Sequence, residues 1–166
     1  MAGISHDDFE RIFAEWYLQL RNYIYYKSGD MQVAEDIVQD AFMKVWEKRE
    51  SIRQDSIGSL LYKIAGNIFL NRIDHQKVQL KFTTGYSFTE HSEGPDYDLE
   101  MKEFDERLRK SLSDLDEKNR TVFLMNRIDD LTYREIASAL GLSQKAVEKR
   151  MGKAIAFLKE QLDIKI

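Results

Sequence analysis

The chain has 166 residues, a formal charge of −4 and 43% hydrophobic residues, which suits one compact domain or two small ones and excludes wholesale disorder. It has no cysteine, so disulfides and cysteine-based zinc sites are excluded. No apolar run approaches the ~20 residues of a membrane span, and the start MAGISHDDFERIF lacks the basic-then-apolar pattern of a secretory signal. A reducing, cytoplasmic setting is expected. One Pro and eight Gly favour helices over short strands and turns.

Apolar residues at Phe9, Ile12, Phe13, Trp16, Tyr17, Leu20, Tyr23 and Ile24 recur at spacings of three and four, which predicts an amphipathic helix over 7–27 that ends at Gly29. A second helix is predicted over 31–49, with Ala34, Ile37, Val38, Ala41, Phe42, Val45 and Trp46 inward. ESIRQDSIGS interrupts the pattern. A third helix follows over 58–75, with Leu60, Leu61, Ile64, Ala65, Ile68, Phe69 and Ile73 inward. Periodicity then fails. Residues 83–98 contain Gly85, Gly94 and the only Pro, and read as a flexible acidic linker. Helices resume near Leu99 to about 112 and again over 116–128. The expected fold is all-α, with two small helical domains, 1–82 and 99–166, joined by that linker.

The final stretch, LTYREIASALGLSQKAVEKRMGKAIAFLK, reads as two helices and a tight turn. Thr132 and Glu135 form a T-x-x-E capping box. Ile136, Ala137 and Leu140 form the buried side. Gly141 can end the helix in the left-handed region, and Ser143 can cap the next. That second helix buries Val147, Met151, Ala154, Ile155 and Leu158 and offers Lys145, Lys149, Arg150 and Lys153 to solvent. Residues 143–159 hold five bases against one acid, whereas 85–106 hold eight acids against one base, so the overall charge hides a basic end. A DNA-binding helix-turn-helix has these needs: a small residue where the helices cross, a short turn, and base-reading side chains at the start of the second helix. Gln144, Lys145 and Lys149 suit base edges; Arg150 and Lys153 suit phosphates. An ordinary helical hairpin with a lysine-rich solvent face satisfies the same spacing.

Both halves resemble a known family. LSDLDEKNRTVFLMNRIDDLTYREIASALGLSQKAVEKRMGKAIAFLKEQL is similar to the region-four domain of bacterial RNA polymerase sigma factors, and AEDIVQDAFMKVWEK followed by LLYKIAGNIFLNRIDHQ is similar to their region-two domain. The order and the short linker resemble the extracytoplasmic-function group, and SQKAVEKRMGKA resembles versions from Bacteroidetes-type bacteria. The resemblance spans about residues 9–162. It implies a transcription initiation factor that binds core RNA polymerase at the clamp and the flap, and directs it to specific promoter DNA. An anti-sigma factor, typically membrane-bound in this group, is a further implied partner, and no residue identifies one.

Residue by residue, the resemblance implies three faces. Asp36, Gln39, Asp40, Met43 and Glu47 would meet the clamp, although without the family they read first as an ordinary acidic solvated face. Tyr62, Lys63, Asn67, Asn71 and Arg72 would face the downstream promoter element, and Arg53 lies in the loop that receives a flipped base in the family. Amides read bases and cations hold phosphates. Thr132, Arg134, Ser143, Gln144, Lys145, Lys149, Arg150 and Lys153 would serve the upstream element. The chain departs from the family pattern at Leu60, where Trp is frequent, and at Gly66 and Asp74, where bases are. Glu148 also departs, within the recognition helix, where it can select against some bases or accept from cytosine.

No cofactor, metal or small-molecule substrate is expected. His6, His75 and His91 are scattered, and no phosphate-binding glycine loop or H-E-x-x-H motif occurs, which argues against an enzyme. A stand-alone helix-turn-helix regulator would bind DNA without polymerase. A helical adaptor would bind neither DNA nor a promoter complex.

Overall fold

The structure is a computed structural model that describes residues 3–75 and 95–163, with side chains over 3–72 and 99–163. Among the described residues every regular element is helical. The first helix, α1 (His6–Ser28), begins with a capping box that the sequence reading overlooked. The Asp8 N–H donates to the Ser5 hydroxyl at 3.1 Å, and the Ser5 N–H donates to the Asp8 carboxylate at 3.2 Å. The Ser5 hydroxyl and N–H hold the Asp8 carboxyl below its usual pKa, with help from Gln54 and Arg11. The helix ends at Gly29, whose φ of 68° is the left-handed value glycine adopts without strain.

Asp30 then caps α2 (Met31–Glu47) by accepting from the N–H groups of Gln32 and Val33. A short 3-10 turn, Gln54–Ser56, leads into α3 (Ile57–His75). The three helices pack on one another around Leu20, Ile24, Ile37, Val38, Phe42, Leu61 and Phe69, all buried. Ala34, Ala41 and Ala65 are also buried and keep the helix axes close. Gly58 does the same more sharply. A Cβ there would lie 2.5 Å from the Trp16 indole, so only glycine lets the start of α3 meet α1.

The second bundle comprises α4 (Pro95–Asp114), α5 (Glu117–Arg127), α6 (Tyr133–Leu140) and α7 (Gln144–Leu162). Val147, Met151, Ala154, Leu158 and Leu162 form a buried stripe on α7, which packs against the other three. Helix α4 starts at Pro95, earlier than the expected Leu99. Proline suits a first helical position, where its missing N–H would have had no partner. The expected linker therefore ends at Gly94, and its part before Pro95 lies outside the described residues.

The helix-turn-helix has the caps the sequence predicted. Thr132 and Glu135 exchange hydrogen bonds at 3.1 and 2.8 Å, Gly141 has φ 65°, and the Ala146 N–H donates to the Ser143 hydroxyl at 3.1 Å. The Leu142 N–H reaches back to the Ala137 carbonyl at 2.9 Å and closes the turn. Gly141→Ala would meet no atom within 4 Å, so its whole effect is backbone strain. It is expected to lower the unfolding free energy by about 1–2 kcal/mol in urea titration. An unchanged midpoint would mean that the turn is not left-handed in solution.

The two bundles pack together, α1 against α5 and α3 against α6. The sequence predicts two helical parts joined by a linker and does not determine their arrangement.

Candidate nucleic-acid interface

On α7 the capped N-terminus presents Gln144, Lys145 and Lys149 to solvent, with Lys153 further along the same helix. Arg134 is exposed on α6. Thr132 and Ser143 are also exposed, but each hydroxyl already accepts a backbone N–H as a cap. Their main work is to fix where the helices start, which leaves the longer side chains to reach a groove. Arg150 departs from expectation. It is half-buried, and its guanidinium is near enough to Tyr23 to oppose the rise that burial imposes on that phenol.

On α2, Asp36, Gln39, Met43 and Glu47 are exposed, as expected. Gln39, Met43 and Glu47 rim an apolar groove of about 480 Å³ floored by Phe9, Phe13, Phe42 and Trp46, with His6 at its edge. Met43 is 61% exposed and Phe13 40%. The sequence reading placed Phe13 on the apolar stripe of the first helix and counted His6 only as one of three scattered histidines. Phe13 belongs to a ring cluster, 4.9 Å from Phe42 and 5.0 Å from Tyr17, whose outer edge is open. Asp40 is not a free member of this face. Its carboxylate accepts from Arg72 of α3 at 2.7 Å, so two residues assigned to different partners hold each other. Both are more than a third exposed, which makes the ion pair a weak one.

On α3, Lys63, Asn67 and Asn71 are exposed, but Tyr62 is 3% exposed and does not face solvent. It packs edge-on against Trp16 and Tyr23, at centroid distances of 6.4 and 5.0 Å, and burial pushes its phenol pKa up. Tyr62, Lys63 and Asn67 share an open cleft of about 480 Å³ with Ser138, Leu140 and Gly141 of the helix-turn-helix. Arg53 stands outside this group, exposed and 3.7 Å from Asp55.

The polar contacts between the bundles have no local signature in the sequence. Arg120 of α5 is fully buried and donates to the Tyr26 and Lys27 carbonyls at the end of α1, at 2.6 and 2.8 Å. Lys27 pairs with Glu117, and Asp129 accepts from the Tyr26 hydroxyl at 2.9 Å and from the Asn22 amide at 3.2 Å. Desolvation raises the Asp129 pKa, and those two hydrogen bonds oppose the rise. These pairs lie about 90–107 residues apart in the chain, so no local pattern could have announced them.

Two helical bundles, the second ending in a capped helix-turn-helix with a basic reading face, define a DNA-binding protein of the helix-turn-helix class. Comparison with known proteins refines the class. The family model for Sigma-70 region 2 matches residues 12–78, and that for Sigma-70, region 4 matches residues 105–158. RNA polymerase sigma factor YlaC of Bacillus subtilis (strain 168) is 27% identical over 161 residues, covering 94% of this chain and 92% of the relative. ECF RNA polymerase sigma factor SigW of the same organism is 26% identical over 145 residues, covering 81% and 78%. The sigma factor RpoE of Bartonella quintana, in its co-crystal structure with the anti-sigma factor NepR, shares the fold with a TM-score of 0.64 at 22% identity, covering 96% of this chain and 99% of that one.

The two family models together span more than two thirds of the chain, in family order. The chain belongs to the sigma-70 family of RNA polymerase sigma factors, and its relatives are of the extracytoplasmic-function type. Sigma factors are transcription initiation factors, not enzymes. Neither the stand-alone regulator nor the adaptor accounts for a matched region 2. Among the described residues no helix is long and apolar enough to cross a membrane.

Proposed function

We propose that this sigma factor works in the cytoplasm through three faces. The first is the α2 face with its apolar groove, which docks on the clamp of core RNA polymerase. Exposed Gln39, Met43 and Glu47 around aromatic rings suit a protein partner, because interface cores favour aromatic and Met side chains. The second is the exposed side of α3 with the preceding loop. Lys63, Asn67, Asn71 and Arg53 contact the opened downstream element, with Tyr62 and Arg72 joining once their present contacts are released. The third is the start of α7, which reads the upstream element while its bundle rests on the flap. The anti-sigma factor held by the related RpoE supports an anti-sigma partner here too, and SQKAVEKRMGKA supports a Bacteroidetes-type source.

The carrying observation is the pairing of a matched region 2 with a matched region 4 whose recognition helix has its polar face open. Holoenzyme reconstituted with cognate core polymerase should start transcription at a defined set of genomic sites that share an upstream and a downstream element. Initiation at random positions, or none, would count against the reading.

The reading face has its own test on that promoter set. Gln144→Ala or Lys145→Ala should change which upstream bases are tolerated, at about 1–3 kcal/mol per lost base-edge contact. Lys153→Ala should weaken all promoters alike, since phosphates carry no sequence. A uniform loss in all three variants would place the reading face elsewhere.

A further inference from the structure

We infer that residues 3–8 form a strap that positions the loop of residues 48–56 for the downstream strand, with Gly3, Ile4, Asp8 and Gln54 as its positioning residues. The positioning rests on the role proposed above for that loop and Arg53; the strap itself does not.

The loop's own hydrogen bonds reach only across single turns, as from the Ser51 N–H and hydroxyl to the Lys48 carbonyl, both at 3.0 Å. Two longer-range bonds come from the strap. The Ile4 N–H donates to the Arg49 carbonyl at 2.9 Å, and the Gln54 side-chain amide donates to the Asp8 carboxylate at 2.9 Å. These anchors fall on either side of Arg53, whose side chain is left exposed.

The anchors are themselves held. Ile4 is 4% exposed and part of the hydrophobic core, so the strap cannot drift along the surface. The Asp8 carboxylate also accepts from the Ser5 N–H, the Ser5 hydroxyl and Arg11. The residue that caps α1 therefore fixes the loop as well. Gly3 makes the close approach possible. A Cβ there would lie 2.6 Å from the Glu50 Cα and 2.7 Å from the Arg49 carbonyl oxygen, backbone atoms that cannot swing aside.

Held in this way, the loop forms one wall of a cleft of about 320 Å³. Gln54, Asp55 and Ser56 line it from the loop, and Arg11, Glu15 and Trp16 line it from α1. A nucleotide of the opened strand needs walls that keep their spacing, because ordering a loop at the moment of binding subtracts from affinity. Recognition loops work from a rigid scaffold, and here the scaffold is the capped start of α1.

Gly3→Ala and Gln54→Leu test the strap at its two ends. The first adds one methyl group against the loop backbone, and the second removes one exposed donor. In the free protein each should speed amide hydrogen exchange across residues 48–56 by about fivefold, as the loss of one hydrogen bond implies. Exchange in α5 and α7 should not change. In reconstituted holoenzyme, each should weaken the preference for the cognate base at one position of the downstream element by about fivefold. Core binding and upstream-base preferences should be kept. Asp8→Asn retains an oxygen that can accept from both Ser5 and Gln54, and should retain the preference. Unchanged exchange in both variants would overturn the strap. Faster exchange with an intact downstream preference, in a protein where Arg53→Ala does alter that preference, would overturn the positioning. Faster exchange with Arg53→Ala also without effect on any downstream base would leave the strap standing, remove the role proposed for the loop, and remove the positioning with it.

Discussion

Arg120→Met should destabilise this protein about as much as the loss of a buried aromatic side chain from its core. The Arg120 side chain is fully buried, and its donors reach the Leu112 and Leu115 carbonyls near the end of α4, at 3.2 and 3.0 Å, as well as the two at the end of α1. One planar fork thus finishes two helices. Burial lowers its pKa, opposed by Glu117 and Asp116, yet an arginine stays charged at any working pH. Methionine fills similar volume but leaves buried carbonyls without donors, each worth about 1–3 kcal/mol. A total of about 3–5 kcal/mol is expected, comparable to breaking a buried charged network. At roughly 2–4 °C per kcal/mol for a chain of this size, the melting temperature should fall by about 10 °C or more. Arg120→Lys should recover little, because an ammonium lacks the spread of donors needed to span both helix ends. A melting temperature for Arg120→Met close to that of the unmodified protein would show that the guanidinium is not the fastener described.

Docking to polymerase should be the function most easily removed without harm to the fold. Met43→Arg with Gln39→Ala alters two exposed residues on the rim of the apolar groove. Surface changes of this kind move stability by only about 0.5 kcal/mol. A desolvated arginine thrust into a contact lined by aromatic rings is a different matter, and a mismatched interface charge costs several kcal/mol. The doubly substituted protein should melt normally yet no longer co-purify with core polymerase. Phe42→Ala is the contrasting control. It deletes a ring that is 3% exposed, and it should lose binding through about 3–5 kcal/mol of lost core packing. A folded double variant that binds core with undiminished affinity would show that this groove is not the docking face. Asp40 is the poorer site for this experiment, because its change would also release Arg72.

Legibility in the sequence followed the range of the interaction. The helix-turn-helix was readable to the residue because its determinants are local: Thr132 to Glu135, Gly141, and Ser143 to Ala146 all act within one turn. The start of α4 is marked by a proline rather than by an apolar residue. Leu99, near which the helix was expected to begin, is 60% exposed, whereas Pro95 marks the first turn by its fixed φ. Phe13 shares the apolar stripe of α1 yet is 40% exposed. That stripe is wider than the surface α2 and α3 can cover, so its edge became a groove. Tyr62 and Arg150 carry the right chemistry for nucleic acid at suitable positions, but Tyr62 is covered by Trp16 and Tyr23 of α1 and Arg150 is half-buried, which the pattern of their own helices does not announce. The contacts of Arg120 and Asp129 were invisible for the same reason.

The contact between Gly58 and Trp16 has a consequence for how such chains diverge. With 2.5 Å between a would-be Cβ and the indole, the two positions cannot vary independently. A lineage that acquires any side chain at 58 must first shrink the ring at 16 or let α3 slide away from α1. Across descendants of this chain, positions 16 and 58 should therefore behave as a single heritable character, with a bulky residue allowed at one only when the other is small.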